Sequence, residues 1–354
     1  MEYGIALATH AESWKHAKRA EEMGYAAASF FDTHLLNAEL FTAMGAATMA
    51  TTRIKLGTGV LIPTNRIAPV TASALGTLNK LAPGRIEVGI STGYTGRRTM
   101  GVKRVRQADM KDYIRVVQGL LADEITEWEF EGKRRKVKFL NPEIGAINIE
   151  DPIPLFVSAT GPRARALVAE LGAGWICPLG RAASALDALA DMRRKWQEAG
   201  QPPDTLRVHG EIGGAVLRPG EPYDSPRVLD EAGPTAVMLL HDYAEEELHD
   251  RALPPVSPAL APALERYRAL YKSFEPADAR YIANHRGHLM FLKPEERALC
   301  SADMIRTMTW TATKPDLVER LRALKAAGFH RISVQIRHGH PGMIEDWWDV
   351  FQAV

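Results

Sequence analysis

Two corners of this chain constrain its fold more than any other feature. Arg85-Ile-Glu-Val-Gly-Ile-Ser-Thr-Gly-Tyr-Thr-Gly96 and Pro154-Leu-Phe-Val-Ser-Ala-Thr-Gly-Pro-Arg163 each carry an apolar, strand-like run into small residues and then into a helix-like run. A strand that turns straight into a helix leaves unpaired backbone N–H groups at the helix start, backed by the positive end of the helix dipole. Such a corner suits an anion, phosphate above all. Two of them in a chain of alternating strand and helix patterns point to a large phosphorylated cofactor held by a barrel or a layered sheet. Neither corner reads G-x-G-x-x-G, so the dinucleotide fingerprint is absent.

The alternation runs through most of the sequence. Tyr3–Ala8, Ala26–Phe31, Ile54–Ile62, Arg85–Ile90, Leu155–Ser158, Trp175–Cys177, Arg207–Leu217 and Arg331–Ile336 read as strands, the fourth with the unbroken apolar pattern of a strand covered on both faces. Helical patterns lie between them at Ser13–Met23 with a serine cap and Gly24 as its stop, Leu40–Thr51, Pro69–Leu81, Val105–Leu121, Ala164–Leu171 and Ser184–Ala199. Ile125–Leu140 alternates around Glu131-Gly132 and predicts a hairpin set into this rhythm. Residues 218–313 break the rhythm, being rich in Pro, Tyr, His and acids, and form a long insertion before the last strand.

Composition excludes several classes. The net charge of +1 arises from acids and bases spread evenly along 354 residues, which argues against nucleic acid or an anionic membrane as the main partner. Cys177 and Cys300 are too few and too far apart for a disulfide framework or a cysteine zinc site. With no basic leader, and no apolar run near the roughly 18 residues of a membrane span, a cytoplasmic, soluble chain is expected.

Phe30-Phe-Asp-Thr-His-Leu35, Ile54-Lys-Leu-Gly-Thr-Gly-Val60, Gly89-Ile-Ser-Thr-Gly93 and Ser158-Ala-Thr-Gly-Pro-Arg163 resemble, in order and spacing, the luciferase-like flavin and deazaflavin oxidoreductases. The resemblance covers Tyr3 to Gly180 and the closing segment Trp310–Arg337. Its Gly-Pro-Arg corner is most similar to the branch of methylenetetrahydromethanopterin reductases, which use coenzyme F-420; relatives with the same corner use FMN. The resemblance implies an α/β fold, a TIM (β/α)8 barrel forming a single domain over 1–354, with the cofactor at the carboxyl ends of the strands. A homodimer is the family expectation.

The resemblance also places residues. His34 matches a histidine beside the flavin ring, able to bond the ring or exchange a proton; a helix-capping or packing histidine is the plainer alternative. Asp32, on the same strand face, would orient the loop or cap the next helix. Gly59 and Val60 match a bulge whose non-proline cis peptide backs the ring. Thr92 and Gly93 match positions near the ring and ribityl chain, and Ala159, Thr160, Gly161, Pro162 and Arg163 match the phosphate corner. Tyr94 stands where the sugar-phosphate dehydrogenases of the deazaflavin branch carry an acidic general acid, which puts that substrate class in doubt; a tyrosine there would bond a carbonyl or stack on the ring. The neighbouring Arg97-Arg98 would meet an acidic substrate or cofactor tail, or simply be solvated.

The insertion adds Asn284-His-Arg-Gly-His288, and the last strand ends in Arg337-His-Gly-His340. His285 and His288 are expected to contact substrate over the pocket mouth. With neither cysteine nor H-E-x-x-H beside them, no metal is expected. Tyr267, Tyr271, Tyr281 and Trp310 would build an aromatic lid or a satellite core.

Three functions remain open at this stage. One is hydride transfer between F-420 and a small organic substrate. The second is a two-component monooxygenase that takes reduced FMN from a partner flavin reductase and inserts oxygen in a dry pocket. The third is a non-catalytic flavin-binding barrel, disfavoured because His34 and both corners are intact.

Overall fold

In the computed structural model of the chain, which describes residues 1–180, 182–245, 253, 255–258 and 260–354, eight parallel strands close into a barrel. The barrel strands are β1 (Glu2–Leu7), β2 (Ala27–Phe30), β3 (Lys55–Leu61), β4 (Ile86–Ile90), β5 (Leu155–Ser158), β6 (Gly174–Pro178), β7 (Val208–Ile212) and β8 (Arg331–Ile336). They neighbour one another in chain order, and β1 closes the ring against β8 in register from Glu2 opposite Arg331 to Leu7 opposite Ile336. The expected TIM barrel is what these eight short runs build, because every β4 residue is buried and helices cover the outer face. Inside the ring, the buried Arg331 bonds Glu87 across the barrel and Glu2 beside it, which satisfies two charges that a wholly apolar interior would leave unpaired.

Local rules account for most element ends. The helix Ser13–Met23 stops at Gly24, whose φ of 109° is the left-handed conformation glycine reaches without strain. Its start differs from expectation: Glu12 is the cap residue without a side-chain bond, and Ser13 Oγ accepts instead from His10 N–H at 2.9 Å. The hairpin forms as Thr126–Phe130 against Lys133–Val137, with Glu131 and Gly132 both at positive φ as a primed turn requires.

The segment read as one strand, Arg207–Leu217, is two. After β7 the chain breaks at Gly213-Gly214, and Val216–Leu217 pairs in parallel with Ala312–Thr313 outside the barrel. A side chain at Gly214 would sit 2.6 Å from the Trp310 carbonyl carbon, so only glycine lets the two backbones pass this closely.

The insertion carries helices Pro226–Ala244, Ala261–Lys272, Tyr281–His285, Pro294–Arg297 and Ala302–Met308, packed on an apolar cluster that includes Val228, Val237, Tyr267 and Met304. Of the two aromatic readings, the satellite core is the one observed: Tyr267 is fully buried inside it. Trp310 belongs to the barrel core, its Nε1 donating to the Leu179 carbonyl at 2.7 Å. Because the insertion leaves after β7 and returns before β8, it caps the carboxyl end of the barrel. Arg337, buried just past β8, fastens it there by donating to the Glu231 carbonyl at 3.0 Å, to Thr235 Oγ1 at 2.7 Å and to the Leu289 carbonyl.

Candidate active site

The carboxyl ends of β2, β3 and β4 are tied into one frame. Asp32, 4% exposed, accepts from the Ile62 N–H at 3.0 Å and from Arg66 Nη1 at 2.9 Å. Arg66 bonds Glu39 as well and stacks on Phe41 at 4.8 Å. The Asp32 carboxylate is thus engaged by protein donors, and its work is to fix the loop that carries His34. The segment after β4 holds both neighbouring loops: Thr99 Oγ1 donates to the His34 carbonyl at 3.5 Å, and Arg97 Nη1 donates to Thr64 Oγ1 on the loop after β3 at 3.0 Å.

Within this frame both His34 ring nitrogens are buried and neither has a hydrogen-bond partner. Burial lowers the imidazole's pKa below its ordinary value; Asp32 pulls it back up, while Arg66 and Arg97 push it further down. The neutral ring therefore presents one donor and one acceptor with nothing of the protein's own to satisfy them. Unpaired buried polar atoms are rare and call for a physical reason, of which a catalytic role is one.

On the adjacent strand, three steps of β3 from Thr58 to Leu61 match two of β4 from Val88 to Ile90, the one-residue excess of a bulge. The peptide between Gly59 and Val60 in that bulge is cis, as the sequence resemblance implied. A side chain on Gly59 would lie 2.7 Å from Ser29 Cβ, so the bulge depends on glycine for its approach to β2.

Past β4, Gly93 adopts φ 76° and caps the short helix Tyr94–Arg98, while the carbonyl of half-buried Thr92 accepts from Val105 N–H at 2.9 Å. The Arg98 guanidinium lies 4.4 Å over the Tyr94 ring and pairs with Asp242 at 3.1 Å and Glu245 at 3.3 Å. Neither alternative offered for Arg97-Arg98 holds for Arg98: at 3% exposure it is buried and committed to the insertion's carboxylates.

At the second corner the helix Pro162–Glu170 starts two residues earlier than its apolar pattern suggested, with Pro162 in the first turn and no side-chain cap at Gly161. Its first N–H groups are thereby left for an anion or solvent. Ala159 is buried, bonded through N–H to Ile176 and through its carbonyl to Trp175 Nε1. The exposed Thr160 offers its carbonyl to Arg165 Nη1 at 2.8 Å. Arg165, which sequence reasoning passed over, is the corner's buried arginine and pairs with Asp191 at 2.6 Å. Arg163 is exposed and lines an outer groove with Lys111 and Glu170.

The structure corrects the expectation that His285 and His288 line an open pocket mouth. They are 2% and 3% exposed and turned inward, toward each other and toward His241, with ring centroids 5.2–6.1 Å from the neighbours along the His285 edges. His241 lies on the helix Pro226–Ala244, far from the histidine motif in sequence, and no local pattern marks it. His340 stays with its own turn, donating its N–H to the Arg337 carbonyl.

These residues fit a flavin-type cofactor on two counts: the unsatisfied His34 imidazole on the loop that follows β2, and an uncapped helix N-terminus on β5 for a phosphate. By fold and site the molecule is a parallel (β/α)8 barrel of the kind that places a large ligand on its carboxyl face. The chain belongs to the luciferase-like monooxygenase family, which it matches over residues 4–216.

Among proteins of known name, it is 34% identical over 146 residues to the F420-dependent glucose-6-phosphate dehydrogenase of Beutenbergia cavernae, covering 39% of this chain and 41% of that one. It is 30% identical over 161 residues to the 5,10-methylenetetrahydromethanopterin reductase of Methanolobus tindarius, covering 45% and 47%. The chain thus spans under half the length of these relatives. Across 98% of this chain and 97% of the other, its fold matches the coenzyme F420-dependent tetrahydromethanopterin reductase of Methanopyrus kandleri with a TM-score of 0.70 at 19% identity. Among the described residues no helix is long and apolar enough to cross a membrane.

Proposed function

We propose that this protein is an oxidoreductase that binds coenzyme F-420 at the carboxyl face of the barrel and serves hydride transfer to or from a small organic substrate. The observation that carries this reading is His34, on the loop that follows β2, whose two buried ring nitrogens lack any hydrogen-bond partner. F-420-dependent relatives among the matched proteins support the choice of cofactor.

Gly59 and Val60 would back the ring, Thr92 and Gly93 would flank it and its ribityl chain, and the N-terminus of helix Pro162–Glu170, with Gly161 and Arg163, would take the phosphate. When bound, the cofactor supplies hydride exchange at its ring. His34 holds a proton at one ring nitrogen and accepts at the other, so it orients the ring edge or the substrate's polar atom and moves a proton between them. Asp32, through Ile62 and Arg66, keeps that imidazole in place. The insertion excludes water above it, which strengthens each of these contacts. Tyr94, lacking the acidity of a carboxyl group, suits a carbonyl or imine substrate better than a sugar phosphate.

Anaerobic titration with F-420 and with FMN, each oxidised and reduced, followed by fluorescence, tests the proposal. Selective, tight binding of F-420 is expected. Preference for reduced FMN, with oxygen consumption once a flavin reductase is supplied, would instead establish the monooxygenase reading. Binding of neither would leave a non-catalytic barrel.

A further inference from the structure

Three imidazoles buried in the insertion are arranged in a way that packing does not require. His241, His285 and His288 each offer a ring nitrogen, and these atoms lie within 4.8 Å of one another. Each ring spends its other nitrogen on a protein partner. His241 Nε2 meets Glu296 Oε1 at 2.6 Å, His285 Nε2 meets Glu245 Oε2 at 2.9 Å, and His288 Nε2 meets Thr95 Oγ1 at 3.4 Å.

The chemistry of those partners sets the tautomers. A carboxylate only accepts, so His241 and His285 carry their protons on Nε2 and leave the Nδ1 lone pairs bare. His285 Nδ1 is buried with no hydrogen-bond partner. His241 Nδ1 faces His288 Nδ1 at 2.6 Å, a contact of two like atoms that needs either one shared proton or a cation between them. Two bare lone pairs with no donor for one of them form a half-satisfied polar network, which a low-dielectric interior penalises.

We propose that His241, His285 and His288 bind a single late first-row divalent cation, zinc foremost, through their Nδ1 atoms. One ion satisfies all three nitrogens at once, with the His288 proton passing to the Thr95 side. Ligand bonds of about 2.0–2.1 Å place tetrahedral donors roughly 3.3 Å apart, so the His241–His288 pair opens slightly while His285 draws in. Imidazole donors favour zinc, copper or nickel over magnesium or calcium. Glu296 and Glu245 supply the carboxylate–histidine–metal pairing that fixes ring orientation at such centres. Lys293, 2.9 Å from Glu296, and Arg98, beside Glu245, offset those two carboxylates, so the site selects by donor type rather than by an acidic field.

No fourth ligand is supplied by the described residues, which leaves a tetrahedral position for a small external ligand. His241 ends the longest inserted helix, His285 and His288 flank Gly287 in the next turn region, and Thr95 sits on the β4 corner next to Tyr94. The ion therefore pins the insertion to the rim of the candidate active site.

The sequence reading, which expected no metal, had only two of these histidines in view as a pair, because the third is 44 residues upstream of His285 on the helix Pro226–Ala244. Metal analysis of the intact protein purified from zinc-supplemented medium is expected to find about one zinc per chain. Protein stripped with a chelator and titrated with Co2+ is expected to develop the visible absorption of tetrahedral cobalt, saturating at one equivalent. His285→Gln, checked for retained fold by circular dichroism, is expected to bind Co2+ at least 100-fold more weakly, and Thr95→Val to keep the one-equivalent end point. Absence of zinc together with no cobalt absorption in the unaltered protein would overturn the proposal. So would a folded His285→Gln protein that binds cobalt as tightly as the parent.

Discussion

At the scale of single residues, the two groups with the least ordinary surroundings are His34 and Glu211. His34→Ala removes an imidazole whose ring makes no hydrogen bond to the protein, so turnover should fall by about 10²-fold or more, with a smaller loss in cofactor affinity and in stability. Steady-state kinetics beside a binding titration reads the split, and equal losses in both would make His34 a mere binding contact. Glu211 lies in the barrel interior, where burial pushes its carboxyl from 4.5 up to about 7. The folded chain then keeps a proton that the unfolded chain releases, so stability is full below about pH 4.5 and falls as pH rises toward 7. Glu211→Gln should flatten that decline and raise stability at pH 8 by on the order of 1–3 kcal/mol, read from denaturant melts across pH. His34 was legible because it ends a recognisable strand motif. Glu211 and His241 were not, since a glutamate on an alternating strand and a histidine on an apolar helix acquire their character only from what the fold packs around them.

The elements show the same division between local and tertiary causes. The places of the eight barrel strands could be read from short, largely apolar runs, most plainly at β4, which is buried at every residue, whereas the run that holds β7 alternates and extends past that strand's end. The hairpin turn was legible for a local reason too, Gly132 being the residue that tolerates φ 70°. Glu131 at φ 53° is less suited, and Glu131→Asn should stabilise the turn by about 0.5 kcal/mol, measurable as a small rise in melting temperature. What could not be read was the break at Gly213-Gly214, whose need for glycine comes from Trp310, almost a hundred residues away, and the inward turn of the inserted histidines. The insertion's attachment is likewise tertiary. Arg337→Met would strip donors from the Glu231 and Leu289 carbonyls and from Thr235, a loss of about 2–4 kcal/mol. Limited proteolysis should then cut first within residues 218–313, with the barrel strands released later; an unchanged cleavage pattern would show that Arg337 does not anchor the insertion.

For the whole molecule, the extent of the family match and the extent of the fold differ, and the difference can be tested. The matched residues, 4–216, contain seven of the eight barrel strands and all the candidate cofactor contacts, so on sequence grounds they look sufficient. Closure says otherwise. β8 supplies six register pairs to β1 and four to β7, together with Arg331, the partner of both Glu87 and Glu2. Without it, two edges of a parallel sheet open, the barrel interior floods, and Glu87 is left as a buried charge with no counter-ion. The helix Met343–Phe351 would be lost as well, and with it Trp347 and Phe351 from the core. A chain ending at Leu217 should therefore fail to give a soluble monomer, or give one with the exposed apolar surface and lost near-ultraviolet circular dichroism of a partly collapsed state. Rescue by supplying residues 310–354 as a separate chain is expected, because that piece carries β8 and its covering helices as one unit. A fragment 1–217 that is monomeric, cooperatively folded and able to bind F-420 on its own would show instead that the seven-stranded part holds its shape unaided, and that barrel closure serves the insertion rather than the cofactor face.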